Sequence, residues 1–107
     1  MTRYEGRRTW HGTEVTANGR PLDLRLDLRN HSPTGFDWGY GGSGPAQLAL
    51  AILADHLADS DQALDLYQRF KWAVVAEFPR QGWILTGEEI DAALHRIRAQ
   101  EAVGGRT

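Results

Sequence analysis

The chain has no cysteine, and that absence removes a disulfide scaffold, a thiol nucleophile and any zinc site built on sulfur. It has almost no lysine: Lys71 stands alone against eleven arginines. Arginine at this level, beside plentiful alanine, reads first as the coding bias of a GC-rich genome. Its planar fork serves carboxylate or phosphate partners only where several converge. A basic surplus is also missing. The formal net charge of -2 argues against general nucleic-acid binding, which needs cations to release counterions from phosphate. No apolar run approaches membrane-spanning length, and Met1-Thr2-Arg3-Tyr4-Glu5 carries no secretory apolar core. The expected setting is therefore the cytoplasm, with no membrane partner. His11, His31, His56 and His95 are scattered, with no i, i+4 pair among them, so neither a metal nor another cofactor is expected.

A length of 107 residues, 41% hydrophobic and 24% charged, is ordinary for one soluble domain. Residues 1–103 are read as that domain and 104–107 as a frayed end. The first third has strand character. Arg3 to Arg8 and Trp10 to Thr16 are short and irregular, and Asn18-Gly19 is a strong hairpin signal because both positions tolerate positive φ. In Leu22-Asp23-Leu24-Arg25-Leu26-Asp27-Leu28-Arg29, four leucines alternate with four charges, a period of two that predicts a half-buried strand with its charges solvated. Asn30 to Gly44 follows as a long loop holding five glycines and the aromatics Phe36, Trp38 and Tyr40.

Pro45 predicts a helix start, and the next residues to Ala58 are apolar around most of the circumference, so this is the central helix with the leucine strand as its cover. Asp59-Ser60-Asp61 predicts an N-cap for a second helix that ends at Pro79, with Ala63, Leu66, Tyr67, Phe70, Ala73 and Val74 inward and Trp72 outward. Trp83-Ile84-Leu85 reads as a short strand, and Thr86 with Glu89 as a capping box opening a last helix whose inner face is Ile90, Ala93, Leu94 and Ile97. The order β-β-β-α-α-β-α defines an α+β fold: a small antiparallel sheet, made of the N-terminal hairpin and a short later strand, packed on one face by three helices.

The residues that can carry chemistry cluster in the long loop. Gly39-Tyr40-Gly41-Gly42-Ser43-Gly44-Pro45 runs into a helix, where free amides and the helix dipole make a cradle for an anion. The ligand-binding set expected there is Trp38, Tyr40, Gly41, Gly42, Ser43, Gly44 and Gln47. The string matches G-x-G-x-x-G, but no parallel βαβ unit surrounds it, and neither a P-loop Lys-Ser/Thr pair nor a complete nucleophile elbow is present. The alternative is a close-packed connection whose glycines serve the backbone. His31, Asp37 and Ser43 supply the residue types of a base, an orienter and a hydroxyl, which is catalysis only if they lie within hydrogen-bond reach. Trp72 and Arg69 are candidate contacts for a protein partner.

The stretch from Asn30 to Ala51, Asn-His-Ser-Pro-Thr-Gly-Phe-Asp-Trp-Gly-Tyr-Gly-Gly-Ser-Gly-Pro-Ala-Gln-Leu-Ala-Leu-Ala, resembles the signature of a group of small proteins of unknown function from bacteria, phages and other mobile elements. Tyr4-Glu5-Gly6, Tyr67-Gln68-Arg69-Phe70-Lys71 and Trp83-Ile84-Leu85 extend the resemblance over roughly residues 3 to 95. The resemblance implies no activity. The expected function is a non-enzymatic binding domain that uses loop 31–44 and the following helix start for a protein partner or a small anionic ligand. The alternative is a small hydrolase or transferase using His31, Asp37 and Ser43.

Overall fold

The computed structural model describes residues 2–104; residues 105–107, part of the expected frayed end, lie outside them. Strands β1 (Arg3–Thr9), β2 (Gly12–Ala17) and β3 (Arg20–Pro21) are followed by helices α1 (Ser43–Leu57) and α2 (Ser60–Ala73), strand β4 (Gly82–Thr86) and helix α3 (Gly87–Gly104). The α+β order read from the sequence is the order observed. All strand pairs are antiparallel, in the spatial order β3-β2-β1-β4. β1 is thus an interior strand, with Tyr4 opposite Ala17 on one side and Leu85 on the other. None of the described helices is long and apolar enough to cross a membrane.

Local chemistry accounts for most of these elements. Asn18 and Gly19 both have positive φ (51° and 83°), as a two-residue hairpin turn of the right twist requires. Asn18 also fastens the turn to β1: its amide donates to the Arg3 carbonyl (2.8 Å) and its Oδ1 accepts from the Arg3 amide (2.8 Å). Asp59 caps α2 by accepting from the Gln62 amide (3.1 Å). At α3 the capping box is complete, since Thr86 Oγ1 accepts from the Glu89 amide (3.2 Å) while Glu89 Oε1 accepts from the Thr86 amide (2.9 Å). Every residue of α1 from Gly44 to Ala54 is buried, which makes it the central helix.

The sheet's inner face packs on the helices through Tyr4, Val15, Trp83 and Leu85. Tyr4 is fully buried, and its hydroxyl donates to Asp55 of α1 (2.5 Å). Burial first, and then the Asp55 carboxylate, push the phenol's pKa well up, so it stays neutral. Trp83 stacks on Phe78 (4.3 Å between centroids) and meets Trp38 edge-on at 5.6 Å. Its ring crosses β1 at Gly6, where a Cβ would lie 2.3 Å from the indole nitrogen. That nitrogen is buried without a hydrogen-bond partner among the described residues. The orphan costs about 1–3 kcal/mol, and burying an indole returns about 4–6 kcal/mol, so packing wins.

Several boundaries differ from the expectation, including the start of β2, at Gly12 rather than Trp10. Leu22 to Arg29 is not a strand. The ladder with β2 stops after the Leu22 amide donates to the Val15 carbonyl (3.0 Å). Asp23 Oδ1 then accepts from the Arg25 amide (2.7 Å), Arg25 takes φ of 56°, and its guanidinium forks onto Asp27. The alternating charges close a turn instead of lining a solvated face. The segment still covers α1: Leu22 and Leu28 pack on the core and Leu26 points outward. α1 begins at Ser43, two residues before Pro45. α2 ends at Ala73, well before Pro79, and a short 3-10 turn follows at Val75–Glu77, where the Val75 carbonyl accepts from both the Phe78 amide (3.2 Å) and the Gly39 amide (3.1 Å). α3 runs from Gly87 to Gly104.

Gln47 holds the covering segment. It is fully buried in α1; its Oε1 accepts from the amides of His31 (2.8 Å) and Ser32 (3.0 Å), and its Nε2 donates to the carbonyls of Leu24 (2.6 Å) and Arg29 (3.0 Å). Gln47→Leu keeps the volume apolar but strands these four backbone groups. We expect a loss of about 2–4 kcal/mol in urea denaturation, with increased amide exchange at His31 and Ser32.

Candidate functional site

The glycine-rich loop is anchored at both ends before it reaches α1. Upstream, Gln47 fixes His31 and Ser32, and the Thr13 hydroxyl donates to the Phe36 carbonyl (2.5 Å). Next comes Asp37. Its Oδ1 accepts from Arg8 (2.6 Å) and from the Trp38 amide (2.9 Å), and its Oδ2 accepts from the Tyr40 hydroxyl (3.1 Å). Arg8 in turn donates to the Arg80 carbonyl (2.7 Å) and lies over the Trp38 ring (4.9 Å), while the Trp38 indole also donates to the Arg80 carbonyl (3.1 Å). Asp37 packs on Gly44 of α1 through its Cβ and backbone. Burial penalises its charge, but donation from Arg8, the Trp38 amide and Tyr40 outweighs that and holds the carboxyl below the usual carboxylate range. The Tyr40 phenol is pushed up, by burial first and then by its bond to Asp37.

Downstream, the loop passes beneath two aromatic rings. A Cβ on Gly41 would lie 2.0 Å from the Trp72 ring, and one on Gly42 would lie 2.5 Å from the Tyr40 ring. A side chain at either position would have to push these rings aside, so glycine serves here by close approach rather than by conformation. Trp72 nonetheless remains 61% exposed and Tyr40 46% exposed. Beneath them Lys71 is buried, donating to the Gly41 carbonyl (3.3 Å) and lying 4.5 Å from the Trp72 ring centroid. On its other side Trp72 borders a cleft of about 550 Å³ between α2 and α3, lined also by Arg69, Ala73, Ile97, Gln100 and Glu101. Arg69 is held there by ion pairs to Asp65 (3.6 Å) and Glu101.

The residues singled out from sequence therefore separate into groups. Tyr40, Gly41 and Gly42 from the loop set and Trp72 from the partner set share one surface, continued by Arg69. Trp38 and Gln47 are fully buried, the first in the aromatic core and the second on the loop backbone, so neither is open to a ligand here. Ser43 is exposed and Gly44 buried against Asp37 at the head of α1. His31, Asp37 and Ser43 are not linked by any hydrogen bond among the described residues. The His31 ring bonds the Tyr67 hydroxyl (2.8 Å), Asp37 is engaged by Arg8 and Tyr40, and Ser43 has no side-chain partner. Asp37 and Ser43 do line one polar cleft of about 580 Å³, but the histidine in its wall is His11.

Arg8 and Lys71 escaped the reading of the sequence, although both left a signal. Arg8 shares the inward alternation of Tyr4 and Gly6, and Lys71 lies four residues after Tyr67, on the inner stripe of α2.

A family model described as a family of unknown function (DUF6166) matches residues 4–96. The chain belongs to that family. The match takes in the sheet except Arg3, both helices that frame the glycine-rich loop and residues 87–96 of α3, and DUF6166 brings no stated activity to any of them. No curated protein and no solved structure matches the chain.

Because Asp37 ionises more readily in the folded chain, its contribution is present above its unfolded pKa of about 3.9 and is lost as pH falls through the lower folded value. Asp37→Ala leaves Arg8 half-buried and unpaired. We expect it to cost about 1–3 kcal/mol at neutral pH by urea denaturation, with the gap from the wild type narrowing below about pH 4.

Proposed function

We propose that the protein is a non-enzymatic binding domain whose docking surface is the aromatic pair Trp72 and Tyr40 on the Gly41–Gly42 floor, with Arg69 at its margin, and that its ligand is another protein. The observation that carries this reading is the Trp72 ring: it rests on Gly41 with no space for a side chain there, and is still 61% exposed. An indole held in place before binding loses little conformational entropy when a partner covers it, and Trp, Tyr and Arg are the residue types that dominate interface energies. Lys71 supports the floor from below, and the cleft on the far side of Trp72 offers room for a partner side chain.

Two other readings use the same loop. A small anion at the head of α1 must share the cleft lined by Ser43 and Gly44 with the negatively charged Asp37, which disfavours it. A hydrolase or transferase built on His31, Asp37 and Ser43 requires His31 to leave Tyr67 and Asp37 to leave Arg8. The binding reading needs no rearrangement. We take its setting to be the cytoplasm of a bacterium or of a cell carrying its phage.

The test compares proteins captured by the wild-type chain with those captured by Trp72→Ala and by Gly41→Val. A specific partner should be retained by the wild type and lose about 2 kcal/mol or more in each variant, roughly thirtyfold in Kd, while far-ultraviolet circular dichroism stays unchanged. Capture that is indifferent to both substitutions eliminates this surface. Phosphate titration followed by amide NMR separates the anion reading, since selective shifts from Gly41 to Gln47 would favour it.

A further inference from the structure

β4 lies at the end of the sheet, and the ladder geometry identifies which of its backbone groups are engaged. The Gly87 amide donates to the Thr2 carbonyl (3.0 Å), which makes those two residues a hydrogen-bonded pair, and such pairs alternate along an antiparallel ladder. Trp83 and Leu85 therefore direct their N–H and C=O groups toward β1, whereas Gly82, Ile84 and Thr86 direct theirs to the open side. The Thr86 amide is taken by Glu89 Oε1. Ile84 is left with both backbone groups unpaired among the described residues, and its side chain on the outer face is 52% exposed. An apolar edge of this kind is a template for another strand, and chains that do not use one blunt it with charge, proline or a bulge. Gly82-Trp83-Ile84-Leu85-Thr86 has neither charge nor proline, and its pairing with β1 is uninterrupted.

We infer that β4 pairs with β4 of a second copy of this chain, antiparallel about a two-fold axis at Ile84, joining two four-stranded sheets into one. A two-fold interface must be complementary to itself, and this edge is. Ile84 faces Ile84 of the other copy, each amide donating to the other's carbonyl, and the two side chains cover one another on the outer face. Gly82 falls opposite Thr86, so the flanks are not crowded. Charge selects the same arrangement. The chain leading into β4 carries Arg80 and the chain leaving it carries Glu88, both exposed and neither ion-paired among the described residues. Antiparallel pairing brings Arg80 of each copy toward Glu88 of the other, whereas parallel pairing sets like charges together. The short strand makes a small interface, so the dimer is concentration-dependent. This inference does not rest on the Trp72 surface.

Sedimentation velocity of the full chain over a dilution series tests it. The expected result is a monomer–dimer equilibrium in the wild type and a monomer for Ile84→Lys at the same concentrations. Arg80→Glu should weaken the dimer roughly tenfold or more through like-charge contact with Glu88, and adding Glu88→Arg to it should restore association. Should Ile84→Lys fail to fold, the exchanged charge pair reads the same interface. A wild type that stays monomeric at the highest concentration overturns the inference, as does a dimer unaffected by these substitutions.

Discussion

The side-chain amide of Gln47 lies within the buried length of α1 with four hydrogen-bonding positions engaged, and the course of the chain from Leu24 to Ser32 follows from satisfying them. An amide buried without partners costs a few kcal/mol, so the segment that supplies those partners must come to it. That requirement draws residues 24–32 over the helix as an irregular cover in place of a further strand. It also sets where the chain stands when it enters the glycine-rich loop. Arg8 repeats the arrangement at the loop's centre, gathering Asp37, the Trp38 ring and the Arg80 carbonyl around one guanidinium. Two polar side chains from regular elements thus shape a long connection that has no regular hydrogen bonding of its own.

The glycines gain their meaning from those anchors. With both ends of the loop held, its backbone at Gly41 and Gly42 becomes a flat floor, and two aromatic rings lie directly on it. The rings rest on that floor on one side, and they are exposed because nothing in the described chain covers their outer sides. Lys71 adds a reason for the single lysine in a chain of arginines. A compact ammonium fits between the Gly41 carbonyl and the Trp72 ring, where a guanidinium carries a wider planar head.

Much of the fold was legible in the sequence where the determinant is local. Asn18-Gly19 specifies its turn through φ alone, the Thr86–Glu89 box needs only residues three apart, and α1 announces its burial by its composition. Legibility ended where distant groups compete with local pattern. The alternation from Leu22 to Arg29 has the period of a strand, but Asp23, Arg25 and Asp27 bond to one another and Gln47 takes the carbonyls. For the site, the loop and Trp72 were each visible, but their union at Gly41 was not, since nothing in the linear order places α2 against that loop. Trp38 stands among glycines like a surface residue and is buried because Arg8 and Trp83 enclose it. His31, Asp37 and Ser43 are close in the chain, yet each is turned to a different neighbour or to solvent.

The pairing of Arg3 with Thr86 joins the opening of the domain to a strand more than eighty residues later. β1 therefore has no partner on that flank until residues 82–86 have been made, and Trp83 comes to lie over Gly6 only then. Contacts this far apart in sequence form slowly, and a chain cut short of β4 exposes a bare strand edge of the kind that pairs with other chains.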